Sequence, residues 1–136
     1  MISALILAAK SGVDVRIITP EVYDKKFVHI TTRSYYRELI GGGVRIYEYK
    51  GGFNHAKIFL ADGVVATVGT ANMDFRSLYL QFECGVRLVG CPCIGDIERD
   101  FEMTLEKCSQ MNIDDCRANI FARLFQDVLR LFAPLM

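Results

Sequence analysis

With 136 residues, 51% of them hydrophobic and 24% charged, the chain is long enough to bury a core and has the size of a single domain, which excludes a disordered tail. Sixteen basic side chains balance sixteen acidic ones, so no global field draws the chain onto nucleic acid or an anionic membrane, and any anion binding must be local. The longest apolar run, Ala4 to Ala9, is far too short to cross a bilayer.

In chain order, Ile2 to Lys10 carries apolar residues at helical spacing, stops at Ser11-Gly12 and gives way to VDVRIIT, an apolar and β-branched run that predicts a buried strand. After Pro20, Ser34 to Ile40 predicts a second helix closed by Gly41-Gly42-Gly43, followed by VRIYEY as the next strand. Lys57 to Leu60 and Val64 to Val68 predict two short strands joined at Asp62-Gly63, a dipeptide favoured in tight hairpins. Cys84 to Val89 predicts another strand, and from Ile97 the pattern is helical to the end. Helices and strands alternate over residues 1–136, without repeat or linker, which predicts one domain of α/β class.

The five cysteines, Cys84, Cys91, Cys93, Cys108 and Cys116, are odd in number and follow no secretory signal; they read as free thiols in a reducing compartment. Cys91-Pro92-Cys93 lacks the second Cys/His pair that a zinc site needs.

The segment HAKIFLADGVVATVGTANMD carries the chemistry. On a strand, His55, Lys57 and Phe59 share one face, which sets an imidazole beside an ammonium. Gly69 allows close backbone approach, Thr70 offers a hydroxyl and Asn72 an amide donor. A phosphodiester repels anionic nucleophiles, but a neutral imidazole avoids that repulsion, and Lys57 with Asn72 steadies charge on the non-bridging oxygens. Such a set suits phosphoryl transfer with neither metal nor other cofactor.

His55, Lys57, Asp62, Gly69, Thr70 and Asn72 fill the pattern H-x-K-x4-D-x6-G-[ST]-x-N, which resembles the HKD signature of the phospholipase D superfamily. The following GTANMDFRSLYLQFE resembles the form found in bacterial cardiolipin synthases, except that Gln81 stands where that family carries Asn. ALILAAKSGVDVRIITP, YYRELIGGGVRIYEY and ARLFQDVLRLFAPLM are also similar to the second half of such a synthase. The resemblance implies a phospholipase D-like α-β-α sandwich, one half of a bilobed two-motif fold. It implies a phosphatidyltransferase that joins two phosphatidylglycerols, releases glycerol and passes through a phosphohistidine. In these terms His55 is the general acid/base and Lys57 and Asn72 bind phosphate. Thr70 gives a supporting hydrogen bond, and Glu83 is the carboxylate that orients His55. Asp62 joins the catalytic set by its place in the signature, although a hairpin aspartate is common for backbone reasons alone.

That mechanism needs two imidazoles, and His29, in FVHITTR, has neither the lysine nor the Gly-Thr-x-Asn of a second motif. A second HKD half or a homodimer is therefore expected, with the carboxy-terminal half of a two-motif synthase preferred over a native homodimer. The expected partners are phosphatidylglycerol or another phospholipid and a membrane surface on the cytoplasmic side, without nucleic acid. A homodimeric phosphodiesterase or nuclease and a catalytically silent assembly half are the alternatives. The stripe Ile120, Leu124, Val128, Leu131 and Leu135 reads as a core face; Phe121, Phe125, Leu129 and Phe132 broaden it, which suggests contact with a partner half first and a membrane interface second.

Overall fold

A computed structural model describes residues 1–117 and 119–133. Helix α1 (Ile2–Lys10) leads into strand β1 (Arg16–Pro20), then α2 (Lys26–Ser34), α3 (Tyr36–Gly41) and β2 (Arg45–Tyr49). The hairpin β3 (Ile58–Ala61) and β4 (Val65–Gly69) follows, then α4 (Phe75–Tyr79), β5 (Gly85–Val89), α5 (Cys93–Leu105), β6 (Cys108–Gln110), a single 3-10 turn at Asp114–Cys116, and α6 (Ile120–Phe132). The α/β class stands, with the strands divided between two sheets of order β1-β2-β6 and β3-β4-β5.

Both helices that feed the first sheet end alike. Gly12 (φ +92) and Gly43 (φ +95) take the left-handed conformation that closes a helix. At the first end Val13 N–H donates to Ala8 O (3.1 Å) and Gly12 N–H to Ala9 O (3.1 Å); at the second Val44 N–H donates to Leu39 O (3.0 Å) and Gly43 N–H to Ile40 O (2.9 Å). These are Schellman closures, and each delivers the chain into a strand of the parallel pair β1 and β2.

The core lies between this sheet and its helices. Tyr36, Leu39, Val44, Ile46 and Met111 are buried together, with Leu5, Ile6 and Ile17 packed around them. Glu48 alternates with Ile46 on the inner side of β2 and is 5% exposed. Arg33 compensates its charge at 3.1 Å, while the Tyr36 hydroxyl shares a 2.7 Å hydrogen bond with Thr19. Burial pushes the Tyr36 phenol far above its ordinary range.

Three expectations need correction. The carboxy-terminal region is not continuously helical, because α5 starts at Cys93 and β6 intervenes to pair antiparallel with β2. Three residues, Cys-Ser-Gln, carry little strand propensity of their own, and the open edge of β2 supplies the reason for their conformation. Helix α2 stands where no helix was expected; its β-branched Thr31 and Thr32 bond back to Phe27 O and Val28 O at 2.9 Å each, an arrangement open to threonine inside a helix.

The third correction is α6, whose stripe is not core. Ile120, Leu124, Val128 and Leu131 are 77%, 63%, 43% and 78% exposed, and Leu129 alone is buried on this helix. Leu135 falls outside the described residues. At 100° per residue the apolar side chains fill a half-circle with Leu129 at one margin, so the helix docks by its edge. Arg130, 100° further round on the polar side, lies 4.0 Å over the Tyr35 ring and bonds Glu38 at 2.6 Å, a second fastening of the helix.

Ile46→Ala should therefore cost the isolated chain about 3 kcal/mol, a cavity cost, whereas Leu131→Ser should stay within about 0.5 kcal/mol of the parent. Chemical denaturation of both variants measures the contrast.

Candidate active site

The hairpin β3–β4 turns through Asp62 (φ +53) and Gly63 (φ +63), with Val64 N–H returning to Ala61 O at 3.0 Å. Two successive left-handed residues make a type I′ turn, whose twist suits an antiparallel pair. Four residue pairs follow, from Ala61↔Val65 to Ile58↔Val68, and one further bond joins Gly69 N–H to Lys57 O at 3.3 Å.

The far end of this hairpin holds the signature residues. Thr70 is the joint. Its backbone N–H donates to Cys84 O (2.9 Å), its hydroxyl accepts from Cys84 N–H (2.9 Å), and the same hydroxyl donates to the Glu83 carboxylate. Gln81 Nε2 donates to the other carboxylate oxygen at 2.5 Å. The Thr70 hydroxyl, then Gln81 and Ser77, with Lys57 nearby, hold the Glu83 carboxyl below the usual glutamate range. Gly69 is required by close approach: a Cβ there would stand 2.5 Å from Cys84 O and 2.6 Å from Gly85 Cα, both backbone atoms.

An open depression of about 260 Å³ lies here, lined among others by Lys57, Phe59, Thr67, Gly69, Glu83 and Arg87. The register explains the set. Phe59, Thr67 and Arg87 form one row across the sheet, and Gly69 and Gly85 lie two residues along on the same face. Lys57 and Phe59 thus share a face as expected, but the alternation does not extend to His55.

His55 lies ahead of the ladder, in a loop where Asn54 Oδ1 accepts from Ala56 N–H (3.0 Å) in an Asx turn. Its ring stacks on Phe53, centroids 5.5 Å apart, and its carbonyl accepts from Lys57 Nζ at 2.8 Å. Among the described residues, Glu83 has its hydrogen bonds to Thr70 and Gln81 and none to the imidazole. Asn72 is exposed on the loop between β4 and α4. Asp62 is not brought to this end; it occupies the hairpin turn, about 13 Å of strand away. His29 is on α2, its ring tilted 32° against that of Tyr23 with centroids 5.0 Å apart, its pKa lowered by burial and by Arg33.

Gln81 and Arg87 were not among the expected site residues. Gln81 was visible only as a departure, and it proves to be a second clamp on Glu83. Arg87 carried no motif; the period of two from Gly85 was the one signal that it lines the same depression as Lys57. Asp74 caps α4 through Ser77 N–H (2.7 Å), and Arg76 donates to Gln81 at 3.2 Å, so the two stabilise this short helix and its exit. Among the described residues, no three His, Cys, Asp or Glu side chains are grouped so as to hold a metal ion.

The family model described as "Cardiolipin synthase, PLD-like domain" matches residues 1–105. The chain belongs to this family. It is 39% identical over 137 residues to "Cardiolipin synthase 2" of Bacillus anthracis and 41% identical over 137 residues to "Cardiolipin synthase" of Geobacillus kaustophilus. All of the chain is covered in both, but only 27% of either relative. The chain thus spans about a quarter of the length of the curated relatives it matches. A phospholipase D family member, Nuc, from Salmonella typhimurium shares the fold, with TM-score 0.69 and 20% identity over 82% of this chain and 72% of that one. The fold is that of the phospholipase D family.

Thr70→Val should test the joint, since it removes the largest cause of the Glu83 shift and leaves the Cys84 amide unpaired. A carboxyl with a lowered folded pKa stabilises fully above the ordinary glutamate range and loses that contribution as pH falls through its folded value. The gap in thermal midpoint between parent and Thr70→Val should therefore be widest near neutrality and narrow from about pH 5 to about pH 3, while Thr70→Ser follows the parent. A gap independent of pH would place the stabilisation elsewhere.

Proposed function

We propose that this chain supplies one half-site for phosphatidyl transfer of the cardiolipin synthase type, joining two phosphatidylglycerols with release of glycerol. The observation that carries the reading is the convergence of Lys57, Gly69 and Glu83 on one open depression, with Thr70 bonded to Glu83 and a single motif-bearing histidine whose carbonyl holds Lys57. Lys57 meets the charge of the non-bridging phosphate oxygens, and Asn72 adds an amide donor from the loop that follows Thr70. Glu83, whose carboxyl Thr70 and Gln81 hold below the usual glutamate range, is the carboxylate assigned to orient the His55 ring. Asp62 supports the site by fixing the hairpin turn.

The chemistry takes two steps. An imidazole nitrogen of a second half attacks phosphorus, and the bond from phosphorus to the glycerol oxygen breaks while protonated His55 gives its proton to that oxygen. Neutral His55 then takes the proton from a glycerol hydroxyl of the second phosphatidylglycerol, whose oxygen attacks phosphorus and displaces the histidine. The two lipids become one cardiolipin and one glycerol, and the protein is restored. In a homodimer His55 serves in both roles.

Support for a second half comes from surface the chain leaves bare. Ile58, Val68 and Val86 form one row on the opposite face of the same sheet end and are 38%, 38% and 61% exposed. Apolar rows of this kind mark an interface. A membrane surface is the expected source of substrate, and no helix among the described residues is long and apolar enough to cross a bilayer.

The deciding measurement couples mass in solution with transfer from phosphatidylglycerol vesicles. Monomer should be inactive, and activity should follow the dimer fraction or the addition of a second motif-bearing half; a fully active monomer defeats the reading. In an active assembly, His55→Ala and Lys57→Ala should each lower the rate by at least about a thousandfold with folding intact. Excess chelator should leave the parent rate unchanged, because the donor set offers one carboxylate and cations. Cleavage of single-stranded DNA without reaction of the lipid would instead favour a nuclease.

A further inference from the structure

Away from the depression, β5 ends at Val89 and the chain turns at Gly90 (φ +59), whose N–H donates to Val64 O at 2.8 Å. Cys91, Pro92 and Cys93 follow, and α5 begins at Cys93. Pro92 has φ −56 and ψ −30, so one helical residue with a locked φ turns the two cysteine side chains toward each other. Their Sγ atoms are 2.9 Å apart, joined by a thiol–thiol hydrogen bond. The turn is anchored on its α5 side by Ile94, whose N–H donates to Cys91 O (3.0 Å) and whose side chain is 1% exposed.

The remaining thiols are placed differently. Cys108 donates to Thr104 O and Cys116 to Asn112 O, and burial pushes both thiols up, which suppresses the thiolate. Cys84 is exposed and takes part, by its backbone, in the Thr70 joint. Cys91 and Cys93 are both half-exposed and within reach of a small solute.

We propose that Cys91 and Cys93 are a vicinal dithiol that exchanges with small-molecule disulfides and closes reversibly into a Cys91–Cys93 disulfide, a redox site separate from the phosphodiester site. The two sites sit at opposite ends of β5, about 17 Å apart along the strand. The contact between the thiols divides their roles. The hydrogen bond between them favours a single thiolate, with the Cys91 pKa lowered by Cys93 and that of Cys93 raised by Cys91.

In the exchange, Cys91 gives its proton to solvent, and its thiolate attacks one sulfur of the disulfide. That S–S bond breaks, and the leaving thiolate takes up a proton. Cys93, deprotonated in turn, attacks Sγ of Cys91, forming the intramolecular bond and releasing the second thiol. Two protein thiols lose two electrons and one small disulfide gains them.

The test treats the reduced full chain with excess glutathione disulfide, traps free thiols by alkylation and measures intact mass with peptide mapping. Of the five free thiols, two should disappear, with the mass falling by two hydrogen atoms, no glutathione retained and Cys91 linked to Cys93. Dithiothreitol should restore all five. With limiting iodoacetamide, Cys91 should be alkylated about tenfold faster than Cys108 or Cys116. Cys93→Ser should keep one glutathione on Cys91, having no thiol to displace it. Parent protein that retains glutathione on either cysteine, or that reacts at Cys84 with Cys91 and Cys93 still reduced, overturns the proposal.

Discussion

The candidate site depends on the junction at which Thr70 ties the end of β4 to the start of β5. The hydroxyl accepts from the Cys84 amide and donates to the Glu83 carboxylate, while the backbone amide of Thr70 closes on the Cys84 carbonyl. One side chain thus satisfies a backbone donor that would otherwise be left over where the strands part, and fixes a carboxylate by the same contact. The arrangement is possible because Gly69 lacks a Cβ, which lets the two backbones approach. Gly-Thr is therefore one mechanical unit, with glycine permitting the approach and threonine using it.

Much of this was legible in the sequence because it is local. The glycine-closed helices, the Asp62-Gly63 turn and the apolar strand runs are set by backbone stereochemistry, and the structure has each close to its expected bounds, the largest offset being the start of β1 at Arg16 and not Val13. The spacing of Lys57, Thr70 and Glu83 was equally plain, since a hairpin and its return strand bring fixed offsets together. What escaped depends on individual contacts, near or distant in sequence, that a periodic pattern does not carry. Strand β6 exists because β2 offers an open edge, α2 because its threonines find carbonyls one turn back, and the role of Gln81 rests on a contact with a carboxylate that no periodicity encodes. The α6 stripe was misjudged for a related reason: amphipathicity shows that an apolar arc must be covered but not by what, and here one edge of the helix meets the core.

The two sheets divide the work. Around β1-β2-β6 lies a dense core with a compensated buried carboxylate, Glu48, and that half of the molecule resembles an ordinary small domain. On β3-β4-β5 the cover is uneven. Ala66 is fully buried and Leu60 and Leu88 beside it are half-buried, yet the next row toward the site, Ile58, Val68 and Val86, is exposed. Phe75, Leu78 and Leu80 on and after α4 are 45%, 44% and 61% exposed on the nearby connection. Part of the burial deficit thus falls at the site end of this sheet, in addition to the exposed stripe of α6.

On that reading, assembly and chemistry are coupled through His55. Lys57, Thr70 and Glu83 are held by ladder pairing and by one another, but the imidazole lies ahead of the ladder, positioned by an Asx turn, its own carbonyl contact and a stack on Phe53. Phe53 is itself 54% exposed, so the surface against which His55 rests is covered on one side only. A second half that packs against Phe53 would confine the least restrained member of the set at the moment it supplies the second imidazole. The ordering entropy of the ring would then be lost on association and not during the reaction, which is the condition under which a positioned acid/base group is effective.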